Sequence, residues 1–66
     1  MAVLKVIEVL ASSDKSWEDA SQKAVDQAAK SLKHIRSVYV QEQSATVKDG
    51  KIVEYRVNLK LSFEIE

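Results

Sequence analysis

The sequence lacks the residues with which many small proteins stabilise a short chain. Its 66 residues include no cysteine and a single histidine, His34, which excludes disulfides and thiolate metal sites and argues against a zinc site. A chain of this length buries a modest fraction of its surface and is marginal as a monomer. Of the usual remedies, oligomerisation is the one that the composition leaves open.

Further absences narrow the class of function. Ten basic residues balance ten acidic ones, whereas nucleic-acid binding usually depends on a basic stripe. A group of cations, Lys30, Lys33, His34 and Arg36, is interpreted as a complement to the C-terminal end of a helix dipole. No apolar run has membrane-spanning length, and none resembles a signal peptide. We therefore expect a soluble, cytoplasmic protein that binds neither nucleic acid nor membrane.

Catalysis has little support in this composition. Gly50 is the only glycine, so there is no glycine-rich phosphate loop, and no Ser-His-Asp constellation can be proposed. The carboxylates of Glu42, Glu54 and Glu64 are interpreted as solubilising surface charges. We expect that the protein is not an enzyme.

What the sequence does contain is a long alternation of apolar and polar residues at its end. Residues 53 to 66, "VEYRVNLKLSFEIE", are apolar at every second position, which is typical of a half-buried strand. Residues 3 to 11, rich in Val, Ile and Leu, predict a first strand, and residues 36 to 47 predict a second.

Between the first two strands the sequence predicts a helix. Ser16 can cap its start, and Asp19 occupies the capping-box position. The apolar stripe has the three-and-four spacing of a helix and comprises Trp17, Ala20, Ala24, Val25, Ala28, Leu32 and Ile35. Because most of these side chains are small, we expect the helix to lie close on a sheet. Trp17 is interpreted as a packing anchor, or alternatively as an anchor at a subunit interface.

The register of the last two strands follows from the sequence "KDGK". Asp-Gly is a strong signal for a two-residue hairpin turn, so Asp49 and Gly50 are predicted at the turn and paired positions sum to 99. In this register, apolar residues of the second strand pair with apolar residues of the third. The register places eight residues on the face away from the helix, namely Ser37 opposite Ser62, Tyr39 opposite Lys60, Gln41 opposite Asn58 and Gln43 opposite Arg56.

These elements predict one α+β domain over residues 1–66, with β-α-β-β order and one helix packed on a three-stranded antiparallel sheet. The strands are long compared with the usual length, and the helix is too short to cover them. Val53 and Tyr55 are therefore expected to stay exposed unless another subunit covers them. Exposed apolar surface of this kind tends to mark an interface.

Four stretches resemble the dodecin family: "KVIEV" at the start, "SWEDA" opening the helix, "IRSVYVQEQ" after it, and "YRVNLKLSF" after the hairpin turn. The similarity covers nearly the whole chain. It implies a hollow homododecameric shell with helices outside and sheets facing inward. Many dodecins store flavins, stacking the ring on a tryptophan early in the second strand and hydrogen-bonding it with a glutamine of the third.

The sequence departs from this pattern at both positions. Ser37 stands where the tryptophan is expected and offers no face for stacking, which is the main attraction for a flat aromatic ligand. Arg56 stands in the place of the glutamine and favours carboxylate or phosphate. The pocket candidates are thus Ser37, Tyr39, Gln43 and Arg56. The chain resembles a flavin-poor subgroup for which calcium binding has been proposed, with metal ligands that the sequence does not identify.

Three hypotheses follow from the residues and the resemblance. The first is a storage shell for an anionic or flat aromatic small molecule, flavin included, with flavin binding weak or lost. The second is a calcium-binding or purely structural shell, in which carboxylates pooled across a symmetry axis supply the six or more oxygens that a hard cation needs. The third and least supported is a small enzyme.

Overall fold

The computed structural model describes residues 2–65, and Met1 and Glu66, at the limits of the predicted domain, lie outside them. The elements are β1 (Val3–Ser13), α1 (Trp17–Ala28), β2 (Ile35–Lys48) and β3 (Lys51–Ile65). β3 lies in the middle of the sheet, antiparallel to β1 on one side and to β2 on the other. This order confirms the predicted β-α-β-β fold with one helix and a three-stranded antiparallel sheet. Among the described residues no helix is long and apolar enough to cross a membrane.

The predicted start of α1 is confirmed by its capping contacts. The Oγ of Ser16 accepts a hydrogen bond of 2.9 Å from the backbone N–H of Asp19. The carboxylate of Asp19 in turn accepts a 2.6 Å bond from the hydroxyl of buried Ser13 and lies 3.2 Å from the Nζ of Lys23. These bonds satisfy donors of the first turn and tie the helix to the end of β1.

The end of α1 comes earlier than the apolar stripe predicts. The backbone N–H groups of Ser31 and Leu32 both bond to the carbonyl of Ala28, at 3.1 and 2.8 Å, so the chain tightens into a turn after this residue. His34 then adopts a left-handed φ of 62°, and Ile35 begins β2. The prediction that Leu32 and Ile35 continue the helix is therefore wrong. The predicted cations also lie beyond the last turn, which contains no basic residue.

The core lies where the middle of β3 meets α1. Its fully buried apolar residues are Ala20, Val57, Leu59 and Leu61. Ala20 has no accessible surface, which agrees with a helix brought close to the sheet by small side chains. So few buried residues make a small core for a whole domain, as its length leads one to expect.

Trp17 anchors the start of α1 on the sheet, as predicted. Its Nε1–H donates a 2.9 Å hydrogen bond to the carbonyl of Ser44, and its ring meets that of Tyr55 edge-on, with centroids 4.9 Å apart. Tyr55 is therefore partly covered, and the prediction that it lies exposed is wrong. Val53, two residues nearer the turn, is exposed as predicted.

The hairpin turn has the predicted residues and geometry. Asp49 and Gly50 have φ values of 53° and 75°, and Lys48 pairs with Lys51. Positive φ at both central residues is the requirement of a type I′ turn. The predicted pairs of Ser37 with Ser62 and of Tyr39 with Lys60 are also present.

Two of the predicted pairs are wrong because the pairing of β2 with β3 shifts twice between the turn and Ser37, first at Val53 of β3 and then at Gln41 of β2. The register shifts by one residue between Val40 and Glu42, and Gln41 is the additional residue at this β-bulge. Glu42 therefore pairs with Asn58 in place of Gln41. Gln43 pairs with buried Val57 and so belongs to the helix side of the sheet, because a shift of one residue exchanges the two faces.

Candidate functional site

The side of the sheet opposite α1, here called the far face, is where the sequence predicts a ligand. Its central row comes from β3 and consists of Arg56, Asn58, Lys60, Ser62 and Glu64. The flanking residues, by their pairing with this row, are Leu4, Val6, Glu8, Leu10 and Ser12 of β1 and Ser37, Tyr39, Glu42 and Ser44 of β2. The face mixes charged, hydroxyl and apolar side chains, and it has no second layer in the chain itself.

One end of the far face is built around hydroxyl groups. The side chains of Ser37 and Ser62 are hydrogen-bonded to each other, and Val6 completes their row from β1. Beside them, the Nε of Arg36 donates a 2.8 Å hydrogen bond to Glu64, which neutralises that carboxylate. This end can offer hydroxyl groups and a small apolar contact to a ligand, but it has no aromatic ring.

Among residues 2–65, the far face has one aromatic side chain, that of Tyr39 in the neighbouring row. It lies exposed opposite Lys60, which has Glu8 on its other side. Tyr39 is two residues from Ser37, about 7 Å along the strand. The two side chains are thus close enough to contact one small molecule.

Arg56 lies at the opposite end of the far face, between Ser12 and Ser44. Its Nε is 4.0 Å from a carboxylate oxygen of Glu54, and half of its side chain is accessible. The same oxygen of Glu54 accepts a 3.2 Å hydrogen bond from the hydroxyl of Thr46. An exposed ion pair at this distance is weak, so the guanidinium can exchange Glu54 for a phosphate or carboxylate of a ligand.

A single chain does not bring the predicted pocket residues together. Ser37 is level with Ser62, and Arg56 is six residues away along β3, which is about 20 Å. A ligand that touches both Ser37 and Arg56 therefore needs these residues from two copies of the chain. Gln43 lies on the helix side, so the prediction that it shares a face with Arg56 is wrong.

Within residues 2–65 no acidic cluster forms a metal site. Residues 2–65 contain no group of three or more histidine, cysteine, aspartate or glutamate side chains that could hold an ion. The Ser13 hydroxyl and then Lys23 hold the pKa of Asp19 below its ordinary value, but this carboxylate belongs to the helix cap. Calcium prefers six to eight oxygen ligands, which these acidic residues do not gather within one chain.

The sequence-based prediction missed the apolar part of the far face. Leu4, Val6 and Leu10 of β1 are all about half exposed or more on this side. The signal was present in "MAVLKVIEVLAS", where Val, Ile and Leu occupy both alternating sets of positions. Such near-continuous apolar runs are typical of strands covered on both faces. Within residues 2–65 the far face of β1 thus carries apolar side chains that no other layer covers.

Comparison with known proteins gives a consistent family assignment. The family model described as Dodecin matches residues 3–66. The calcium dodecin of Mycobacterium tuberculosis is 38% identical over 65 residues, covering 98% of this chain and 92% of that protein. The dodecin of Thermus thermophilus is 33% identical over 64 residues, covering 97% of this chain and 93% of that protein.

Solved structures agree with these matches. The crystal structure of the M. tuberculosis calcium dodecin, described as having a novel calcium-binding site, has a TM-score of 0.84 and 41% identity and covers 98% of this chain and 93% of its own. The dodecin of Streptomyces coelicolor has a TM-score of 0.93 and 28% identity, with the same shares covered. The resemblance read from the sequence is confirmed.

Proposed function

Because this chain belongs to the dodecin family, we propose that it is a non-enzymatic protein that binds and stores a small ligand in a hollow homododecameric shell. The family match over residues 3–66 is the observation that carries this proposal. The small core and the uncovered apolar residues of β1 support it, since both fit a subunit better than a monomer.

The ligand site that we propose lies on the far face, between two copies of the chain. We place Ser37 and Tyr39 from one copy beside Arg56 from another, a proposal supported by the separation of about 20 Å between Ser37 and Arg56 along the sheet of one chain. Gln43 lies on the helix side and is left out of this site. The site then presents hydroxyl groups, one exposed phenol ring and one guanidinium, which suits a flat or anionic small molecule.

Within this function we propose that flavin binding is weak. A stacking tryptophan, which the family resemblance implies at position 37, is replaced by Ser37, whose hydroxyl is hydrogen-bonded to that of Ser62. The missing stacking is worth about 1 to 3 kcal/mol per ring, taking bases stacked on aromatics as a guide. Since each 1.4 kcal/mol is tenfold, this corresponds to roughly a ten- to hundredfold loss of affinity. For riboflavin phosphate, Arg56 offsets part of the loss by pairing with the phosphate.

Titration of riboflavin and of riboflavin phosphate, followed by quenching of flavin fluorescence, tests this proposal. The unmodified protein should quench weakly, and riboflavin phosphate more than riboflavin. The double variant Ser37→Trp with Arg56→Gln should bind tightly. Its matched control, Ser44→Trp with Arg56→Gln, places the same ring elsewhere on the far face of β2 and should not. Tight, stoichiometric quenching by the unmodified protein contradicts the proposal.

A calcium-binding shell is the second candidate, favoured by the similarity to the calcium dodecin of M. tuberculosis. Since one chain gathers no metal-binding cluster among residues 2–65, acidic residues of several copies would have to share an ion. Calorimetric titration of chelator-treated protein with calcium chloride should then give fewer than one ion per chain. One ion per chain contradicts a shared site, and no heat above that of buffer leaves a purely structural shell.

A further inference from the structure

The end of the hairpin, residues 46 to 54, extends beyond the rest of the fold and is here called the hairpin tip. β1 ends where Ser13 pairs with Tyr55, and α1 begins at Trp17, which contacts the same Tyr55. The hairpin tip is therefore a two-stranded ribbon without a third strand or a helix on it. A two-stranded hairpin alone in water is marginally stable at best.

The hairpin tip nevertheless carries three exposed apolar residues. Val47, Ile52 and Val53 are 64, 52 and 48% exposed. A register shift places both Ile52 and Val53 against Val47, because Thr46 pairs with Glu54 and Val47 with Ile52. A local group of apolar side chains on an otherwise unsupported ribbon indicates a contact surface.

A complementary surface lies on the helix side at the other end of the chain. An open cleft of about 660 Å³ separates β1 from α1, here called the β1–α1 cleft. Its apolar lining on the helix side includes Ile7, Val9, Ala11, Ala24, Ala28 and Leu32. β1 is an edge strand, so this cleft opens along the edge of the sheet. The alanines of α1 leave the space that larger side chains of the helix would fill.

The hairpin tip cannot reach the cleft of its own chain. Ile7, in the cleft, pairs with Leu61, and Ile52 is nine residues from Leu61 along β3, about 30 Å. The occupant has to be another molecule. A second copy of the chain fits this role, because every copy carries both the apolar hairpin tip and the apolar cleft.

We propose that the hairpin tip of one copy lies beside β1 of a second copy and buries Val47, Ile52 and Val53 in its β1–α1 cleft. This contact pairs an edge strand, supports a free ribbon and fills a cleft at once. It joins two different patches, so it is head-to-tail and closes into a ring within the shell. The inference rests on the proposed shell and specifies which surfaces build it.

Site-directed disulfides test the contact directly, since the chain has no cysteine of its own. A tagged Val53→Cys chain is refolded together with an untagged chain carrying Ala24→Cys or Ala28→Cys and is then oxidised. We expect disulfide-linked pairs of tagged and untagged chains with at least one of these partners. The matched control, Glu18→Cys, lies on an exposed part of the same helix outside the cleft and should give none.

Gel filtration under reducing conditions tests whether the variants still assemble. A failure of the docking can then be distinguished from a failure of the proposed function. An intact oligomer without the tagged–untagged disulfide overturns the docking but leaves the proposed function standing. A disulfide between two Val53→Cys chains, or equal linkage to Glu18→Cys, also overturns the docking. A monomer from the unmodified chain overturns both. As a second measurement, Ile52→Lys should abolish the oligomer at micromolar concentration, whereas Thr46→Lys, on the far face of the same ribbon, should leave it intact. An intact oligomer of Ile52→Lys counts against the docking.

Discussion

Trp17 joins α1 to β2 and β3, so its removal should loosen the whole domain. Trp17→Phe keeps much of the contact with Tyr55 but loses the hydrogen bond to Ser44, which is worth about 1 kcal/mol. Trp17→Ala also loses the ring. Because Trp17 is only partly buried, we expect Trp17→Ala to lower the free energy of unfolding by about 3 kcal/mol, the low end of the range for large aromatic side chains.

Denaturant unfolding followed by circular dichroism measures these losses, at one protein concentration because subunit association shifts the apparent stability. Tyr55→Leu, combined with Trp17→Phe in a double-mutant cycle, should give a coupling of about 0.5 to 1.5 kcal/mol for the edge-on pair. The reasoning is refuted if Trp17→Ala costs less than 1 kcal/mol, or if Trp17→Phe costs as much as Trp17→Ala.

Two further predictions concern the turn and the helix cap. Gly50 has a φ of 75° with open space around it, so Gly50→Val should cost about 1 kcal/mol or more through backbone strain alone and Gly50→Asn much less; equal melting temperatures for both variants would count against this. Ser13 and Lys23 lower the pKa of Asp19, so the ionised carboxylate stabilises the fold fully at a pH above the ordinary pKa of aspartate. This stabilisation is lost as the pH falls through the lowered pKa. Melting curves of Asp19→Asn should show less destabilisation by acid than those of the control Asp26→Asn, and identical acid profiles would contradict the cap.

Local chemistry made much of the fold predictable from the sequence. The Asp49–Gly50 pair determines the turn and the pairing of Lys48 with Lys51, because a two-residue loop leaves one pairing beside it. Ser16 and the residues after it carry the usual signals of a helix start. These features depend on residues next to one another, which is why they needed no knowledge of the tertiary structure.

The predictions that failed depend on contacts between distant parts of the chain. No glycine or proline marks the register shifts at Val53 and at Gln41, and Gln43 lies on the helix side between them. No glycine marks the left-handed residue His34, which ends the connection after α1 although the apolar spacing continues to Ile35. In both places tertiary packing decides against the local pattern.

The candidate site was predictable only in part. The register predicts that Ser37, Tyr39 and Arg56 lie on the far face, and they do. The distance between Ser37 and Arg56 along the sheet becomes evident only from the structure. The apolar side chains of β1 were not predicted on this face because the turn sequence indicates a register for β2 and β3, and no comparable signal indicates one for β1. In the proposed shell a neighbouring subunit covers them, and the pattern within one chain does not describe that contact.

Native mass spectrometry of the purified chain tests the central claim most directly, because one spectrum reports both the number of subunits and any retained ligand. We predict one dominant species of twelve chains, without a stoichiometric mass of bound flavin. A monomer or dimer at micromolar concentration contradicts the shell. A dodecamer that carries flavin in stoichiometric amount contradicts the role assigned to Ser37.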